Sequence, residues 1–171
     1  MVSFHNFKRI HLVGIGGIGM SALAQLYLTR GAQVSGSDRE ESPATRMLTG
    51  KGVVVTIGQR TENIPADAIL AVYSDAVPPE HPERARAREL GIPERSYFEA
   101  LGEATAGMRV VAVSGTHGKT TTTAMLGKML IDAGVDPTVV VGSIVTEWGA
   151  TSAPERATGA SSRPASTAIT F

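Results

Sequence analysis

The chain has 171 residues, 42% hydrophobic and 19% charged, a composition that supports one or two small domains with real cores. Sixteen basic residues balance sixteen acidic ones, so no net field draws nucleic acid or an anionic membrane, and any anion binding must be local. Without cysteine there are no disulfides and no thiolate chemistry; with no apolar signal core at the start and no run of membrane-spanning length, a cytoplasmic location without membrane insertion is expected.

Residues 10–13 are a short apolar run that predicts a buried strand, with Lys8 and Arg9 leading in. Gly14-Ile15-Gly16-Gly17-Ile18-Gly19 follows at once. A helical pattern then runs over 18–30, with Leu23, Leu26 and Tyr27 on one face and Gly31 at its stop. A second strand is predicted over 33–37, ending at Asp38, and Ser42-Pro43 opens another helix with serine as cap and proline at the first position. Strands are expected over 53–57 and 68–73. A helix over 80–90 is closed by Gly91; its Arg84, Arg86 and Arg88 alternate with alanines and read as a solvated face. A shorter helix is expected over 97–101. Strands alternating with helices at this spacing predict βαβ units and a parallel sheet, hence an α/β, Rossmann-like first domain over 1–105.

After a small-residue linker at 102–107 the pattern restarts, with a strand over 109–113, a second glycine loop, a helix to about 133 and a strand over 138–141. In that helix Met125, Leu126, Met129 and Leu130 form an apolar stripe that reads as core. Residues 150–171, dominated by Ala, Ser and Thr, show neither period and read as a disordered or misplaced tail. His5, His11 and His81 have no partner cluster and read as structural or exposed.

The two glycine loops carry the chemistry. Each follows an apolar run and precedes a helix, where the backbone turns tightly and presents N–H groups to an anion. In the first, Gly14, Gly16 and Gly19 hold the G-x-G-x-x-G spacing: the first glycine for the turn, the second for approach of a diphosphate, the third for close helix–strand packing. Asp38 stands where a Rossmann domain places the acid that grips a ribose. This pattern alone favours a nicotinamide dinucleotide. The second loop is Ser114-Gly115-Thr116-His117-Gly118-Lys119-Thr120, followed by Thr121. Lys119 is placed to meet β- and γ-phosphates and Thr120 to meet Mg²⁺. The usual G-x-x-x-x-G-K-[ST] pattern fails at its first position, where Val113 stands; the glycine is Gly115, two residues on.

Gly115-Thr116-His117-Gly118-Lys119-Thr120-Thr121 resembles the ATP-binding loop of the Mur ligases. The stretch from His11 to Ser21, and Val34-Ser35-Gly36-Ser37-Asp38, are similar to the start of the members that join L-alanine to UDP-N-acetylmuramate; the likeness runs from about residue 8 to 149. The resemblance implies an ATP-dependent amide-forming ligase of peptidoglycan synthesis, acting through an acyl phosphate. Residues 106–149 are then the incomplete start of a P-loop α/β ATP-binding domain. Gly14, Gly16, Gly17, Ile18 and Gly19 border the UDP diphosphate, with Ser37 and Asp38 near the uridine. Ser74 matches a serine pair after the fourth strand, although Asp75 stands where the family has the second serine. Residues 115–121 would hold ATP, Lys119 acting on the transferring phosphoryl group and Thr120 on Mg²⁺. His117 occupies the family's variable loop position.

Beyond Trp148-Gly149 the family pattern stops where an acidic, Mg²⁺-binding segment is expected, coinciding with the change of composition at residue 150. A shifted reading frame or misjoined sequence is the expectation there, and the chain as it stands is expected to lack ligase activity. Two other readings stay open: an inert UDP-sugar-binding module, and an NAD-dependent oxidoreductase domain, which leaves Lys119-Thr120 without a role.

Overall fold

The computed structural model describes residues 9–145, 150–152 and 167–170. His5 and the lead-in Lys8 lie outside the described residues, as do Trp148 and Gly149. The chain divides into two compact units, Met1–Ala104 and Thr105–Phe171.

The first unit is a five-stranded parallel sheet with strand order β3-β2-β1-β4-β5, built from β1 (Arg9–Val13), β2 (Gln33–Asp38), β3 (Val54–Ile57), β4 (Ala68–Tyr73) and β5 (Glu94–Ser96). Between the strands run α1 (Ile18–Thr29), α2 (Pro43–Gly50), α3 (Pro82–Glu89) and α4 (Tyr97–Ala104). The order reverses at β1, whose neighbours are β2 and β4, so the chain leaving β1 passes over the crevice where open α/β sheets bind ligands. The apolar runs explain the burial: Ile10, Leu12 and Val13 of β1 and Leu70 and Val72 of β4 are buried, as are Leu23, Leu26 and Tyr27 of α1.

One strand was not anticipated, and two expectations need correction here. Glu94–Ser96 is a strand, paired in parallel with β4 through Ala71 and Tyr73. Its short charged sequence lacks any apolar run because it sits at the sheet edge, where polar side chains belong. α4 continues to Ala104, so part of the supposed linker is helix, with Leu101 and Ala104 buried. α3 is not simply a solvated face. Arg86 and Arg88 are about half exposed, but the Arg84 side chain is only 11% exposed. It pairs with Glu94 at 2.8 Å, and its guanidinium carbon lies 3.5 Å over the Tyr73 ring.

The second unit holds β6 (Arg109–Ala112), α5 (Lys119–Asp132), β7 (Pro137–Val145), β8 (Ala150–Ser152) and β9 (Thr167–Thr170), with strand order β6-β9-β7-β8. β9 pairs in parallel with both β6 and β7, while β8 runs antiparallel to β7. Strands at 150–152 and 167–170 depart from the reading of that stretch as without regular structure. Short β-branched segments such as Thr167-Ala168-Ile169-Thr170 suit a sheet even without a period long enough to signal one. The apolar stripe of α5 also divides: Leu126 and Leu130 pack against Val139 and Val141, whereas Met125 and Met129 are 61% and 64% exposed. Adjacent apolar pairs span more of a helix circumference than one facing strand covers.

Candidate functional site

The first glycine loop is tied to the end of β2. Gly14 takes a left-handed φ of +81°, which turns the chain off β1, and the N–H groups of Gly14 and Ile15 both donate to the Ser37 carbonyl, at 2.8 and 2.9 Å. Gly16 N–H donates to Asp38 Oδ2 at 2.7 Å. These amides are therefore held by the protein itself, and the donors left facing outward are those of the first turn of α1, beginning at the exposed Ile18. Gly17 caps α1 without any side-chain hydrogen bond, and no acid stands in the first turn. The helix keeps its partial positive charge for an incoming anion.

Close approach explains Gly16 and Gly19. A Cβ on Gly16 would lie 2.8 Å from Asp38 Oδ2, and one on Gly19 would lie 2.8 Å from the Tyr97 ring. The third glycine of the motif thus admits an aromatic ring from α4, where helix–strand packing was expected. Gly36, outside the motif, is equally constrained: its Cβ would fall 2.6 Å from both Leu12 O and Ile15 Cδ1. Ser74 lies against Gly14. Its N–H donates to Val13 O at 3.1 Å, and its Cβ would sit 3.2 Å from a Cβ on Gly14. The turn behind it is held by Arg84, which donates to Val77 O at 3.0 Å, and by Arg88, which donates to Pro79 O at 2.6 Å.

Ser37 does not present its hydroxyl to this crevice. The residue is 1% exposed, and Oγ donates to Glu83 Oε2 at 2.5 Å. Glu83 belongs to a buried network that sequence reading missed. Its Oε2 also accepts from His11 Nε2 at 3.1 Å, and its Oε1 accepts from Asn63 Nδ2 at 2.8 Å. His11 Nδ1 pairs with Ser35 Oγ at 3.0 Å. Burial pushes the Glu83 carboxyl upward, but hydrogen bonds from His11, Ser37 and Asn63 outweigh it and hold the group below the ordinary carboxylate range. His81 caps α3, its Nδ1 accepting from Glu83 N–H at 3.3 Å. The one available signal for Glu83 was an acid in the first turn of a helix, a pattern shared by many solvated helices.

The second loop is built differently. Gly115 and Gly118 have positive φ, +146° and +78°, and α5 starts at Lys119 with neither a side-chain cap nor an acid in its first turn. Ser114, Thr116, His117 and Thr121 are exposed, and Thr120 is half-buried. Lys119 Nζ folds back on the loop, donating to Gly115 O at 2.5 Å and Thr116 O at 3.4 Å. Contrast α2, where Ser42 and Thr45 cap each other and consume the N-terminal donors. Within their own units α1 and α5 share an open, glycine-led N-terminus. An ammonium at an open helix start, with no acid in the first turn, suits a phosphate anion. Among the described residues no cluster of His, Cys, Asp and Glu could hold a metal by itself, and no helix is long and apolar enough to cross a membrane.

The model of the Mur ligase family, catalytic domain, matches residues 9–109. The UDP-N-acetylmuramate–L-alanine ligase of Aquifex aeolicus is 46% identical over 142 residues, covering 83% of this chain and 31% of that protein. The enzyme of the same name from Frankia casuarinae is 47% identical over 149 residues, covering 83% and 29%. Among solved structures, UDP-N-acetylmuramate-alanine ligase from Thermotoga maritima superposes with a TM-score of 0.84 at 31% identity, covering 95% of this chain and 36% of that one. UDP-N-acetylmuramate:L-alanyl-gamma-D-glutamyl-meso-diaminopimelate ligase from Neisseria meningitides gives 0.85 at 28% identity, covering 96% and 52%. The chain spans about a third of the length of the curated relatives it matches. It belongs to the Mur ligase family.

Proposed function

We propose that this chain carries the UDP-substrate grip and the ATP loop of a ligase that joins L-alanine to UDP-N-acetylmuramate in peptidoglycan synthesis, a cytoplasmic reaction. The observation that carries the reading is the pair of uncapped, glycine-led helices, α1 and α5, the second headed by Lys119. The relatives named for this reaction support the choice of substrates.

By this reading the cap Gly17 and the first-turn residues Ile18 and Gly19 of α1 meet the diphosphate, Asp38 and Ser74 flank the nucleoside side, and Ser37 contributes through its backbone. Gly115, Thr116, His117, Gly118, Thr120 and Thr121 surround the triphosphate, Thr120 offering its hydroxyl to Mg²⁺. A carboxylate resists attack by an amine until one of its oxygens becomes part of a phosphate leaving group. ATP supplies that group: its γ-phosphoryl passes to the muramyl carboxylate oxygen and ADP departs. The L-alanine nitrogen then forms the amide bond as phosphate leaves and the amine sheds a proton. Lys119 offsets charge on the transferring phosphoryl group.

Calorimetric titration of the chain with UDP-N-acetylmuramate, ATP–Mg²⁺ and NADH tests the reading. Binding of the first two and not the third is expected. Tight NADH binding without UDP-N-acetylmuramate binding would overturn it in favour of a dinucleotide oxidoreductase domain.

A further inference from the structure

We propose that Glu83 is a positioning residue for the first glycine loop, one buried carboxylate whose two oxygens fix the loop from both sides. The inference rests on the reading that this loop grips the UDP diphosphate.

The first route runs through Oε2. It accepts the Ser37 hydroxyl at 2.5 Å, and the carbonyl of that same Ser37 accepts the Gly14 and Ile15 amides. The second runs through Oε1. It accepts from Asn63 Nδ2, which also donates to Gly58 O at 2.8 Å. Gly58 N–H in turn donates to Asp38 O at 2.8 Å, and the Asp38 carboxylate holds Gly16 N–H. Gly14, Ile15 and Gly16, three successive loop amides, are thus referred to one side chain on α3, a helix that contributes nothing to the crevice surface through this residue. Glu83 is 0% exposed. A buried carboxylate is commonly no more stabilising than a packed apolar side chain, so its presence calls for a return other than stability. Here the return is geometry: peptides fixed before ligand arrives need no ordering when it binds.

A positioning role differs from a purely structural one in which variants lose affinity. Ser35 provides the contrast. It lies on the same strand as Ser37, is 5% exposed and bonds the same network through His11, yet it carries no loop amide. The experiment is calorimetric titration of the 171-residue chain and its Ser37→Ala, Glu83→Gln and Ser35→Ala variants with UDP-N-acetylmuramate, below the melting point of each. Ser37→Ala and Glu83→Gln are expected to weaken binding about tenfold, and Ser35→Ala by no more than about twofold, although all lower the melting temperature. Should Glu83→Gln fail to fold, Ser37→Ala decides. Equal affinity losses in Ser35→Ala and Ser37→Ala, or none in Ser37→Ala, would overturn the assignment while leaving the ligand reading standing. No binding by the unsubstituted chain would sink the ligand reading itself, and this assignment with it.

Discussion

The two glycine loops solve the same electrostatic problem by opposite means. Gly14 to Gly19 is held by hydrogen bonds to Ser37 and Asp38 and packed against the Tyr97 ring, with Ile15 fully buried inside it. Gly115 to Lys119 is exposed for nearly its whole length, and among the described residues its lysine bonds to carbonyls of its own loop. The first loop is preformed by the fold; the second can gain more of its order from the ligand. Substitutions around the first should therefore act on folding and binding together. Substitutions in the second, its left-handed glycines apart, should act on binding alone.

The largest effect is expected at Glu83. Glu83→Ala removes the acceptor of His11, Ser37 and Asn63 at once and should destabilise the first unit by about 4 kcal/mol, measurable by denaturant unfolding. The same carboxyl makes stability depend on acid. Because its folded value is depressed, its contribution is fully present above the ordinary carboxylate value of about 4.3 and is lost as pH falls through the lower folded value. Melting temperature should drop more steeply below about pH 4 in the parent chain than in Glu83→Gln. Parallel curves would show that Glu83 is not the group responsible.

Gly36→Ala comes next, at about 3 kcal/mol, because the new methyl meets the Leu12 carbonyl, which cannot move without shifting β1. A loss below about 0.5 kcal/mol would mean the first loop is less tightly built than its contacts imply. Lys119→Ala tests the other half of the comparison. It should reduce ATP–Mg²⁺ affinity about a hundredfold, the weight of a charged hydrogen bond, and leave the melting temperature nearly unchanged. A large melting shift without loss of ATP binding would reverse the contrast between the loops.

Much of this was legible because periodicity and glycine placement report local backbone demands. The strand over 68–73, the capped start of α2 and both glycine loops follow directly from residue order. What escaped depends on partners distant in sequence. Glu83 meets Ser37 across 46 positions and His11 across 72, and nothing local distinguishes it from the exposed acids of other helices. The family resemblance puts Ser37 near the uridine; which way its hydroxyl points is decided by Glu83 on α3. Arg84 likewise looked like its neighbours until Glu94, Tyr73 and the Val77 carbonyl surrounded it. Gly36 sits in a strand where glycine is disfavoured, a signal that a side chain or backbone presses close.

A gain in stability, small beside the losses at Glu83 and Gly36, is the sharpest probe of the open helix starts. Gly17 caps α1 with φ −62° and ψ 147°, an extended conformation any residue adopts, and a Cβ there would come no nearer than 3.4 Å to its neighbours. Gly17→Asp should therefore fit. Its carboxylate would accept from the first-turn amides and sit at the positive end of the helix, raising stability by about 0.5 kcal/mol. Those amides are the ones proposed to meet the diphosphate, so UDP-N-acetylmuramate affinity should fall about tenfold while ATP binding at the second loop is untouched. Gly118 offers no equivalent test, because its left-handed φ of +78° would strain any replacement by about 1–2 kcal/mol. Stability and affinity moving in opposite directions would mark the bare N-terminus of α1 as a feature kept for the ligand. If Gly17→Asp binds UDP-N-acetylmuramate as well as the parent does, the phosphates are gripped elsewhere.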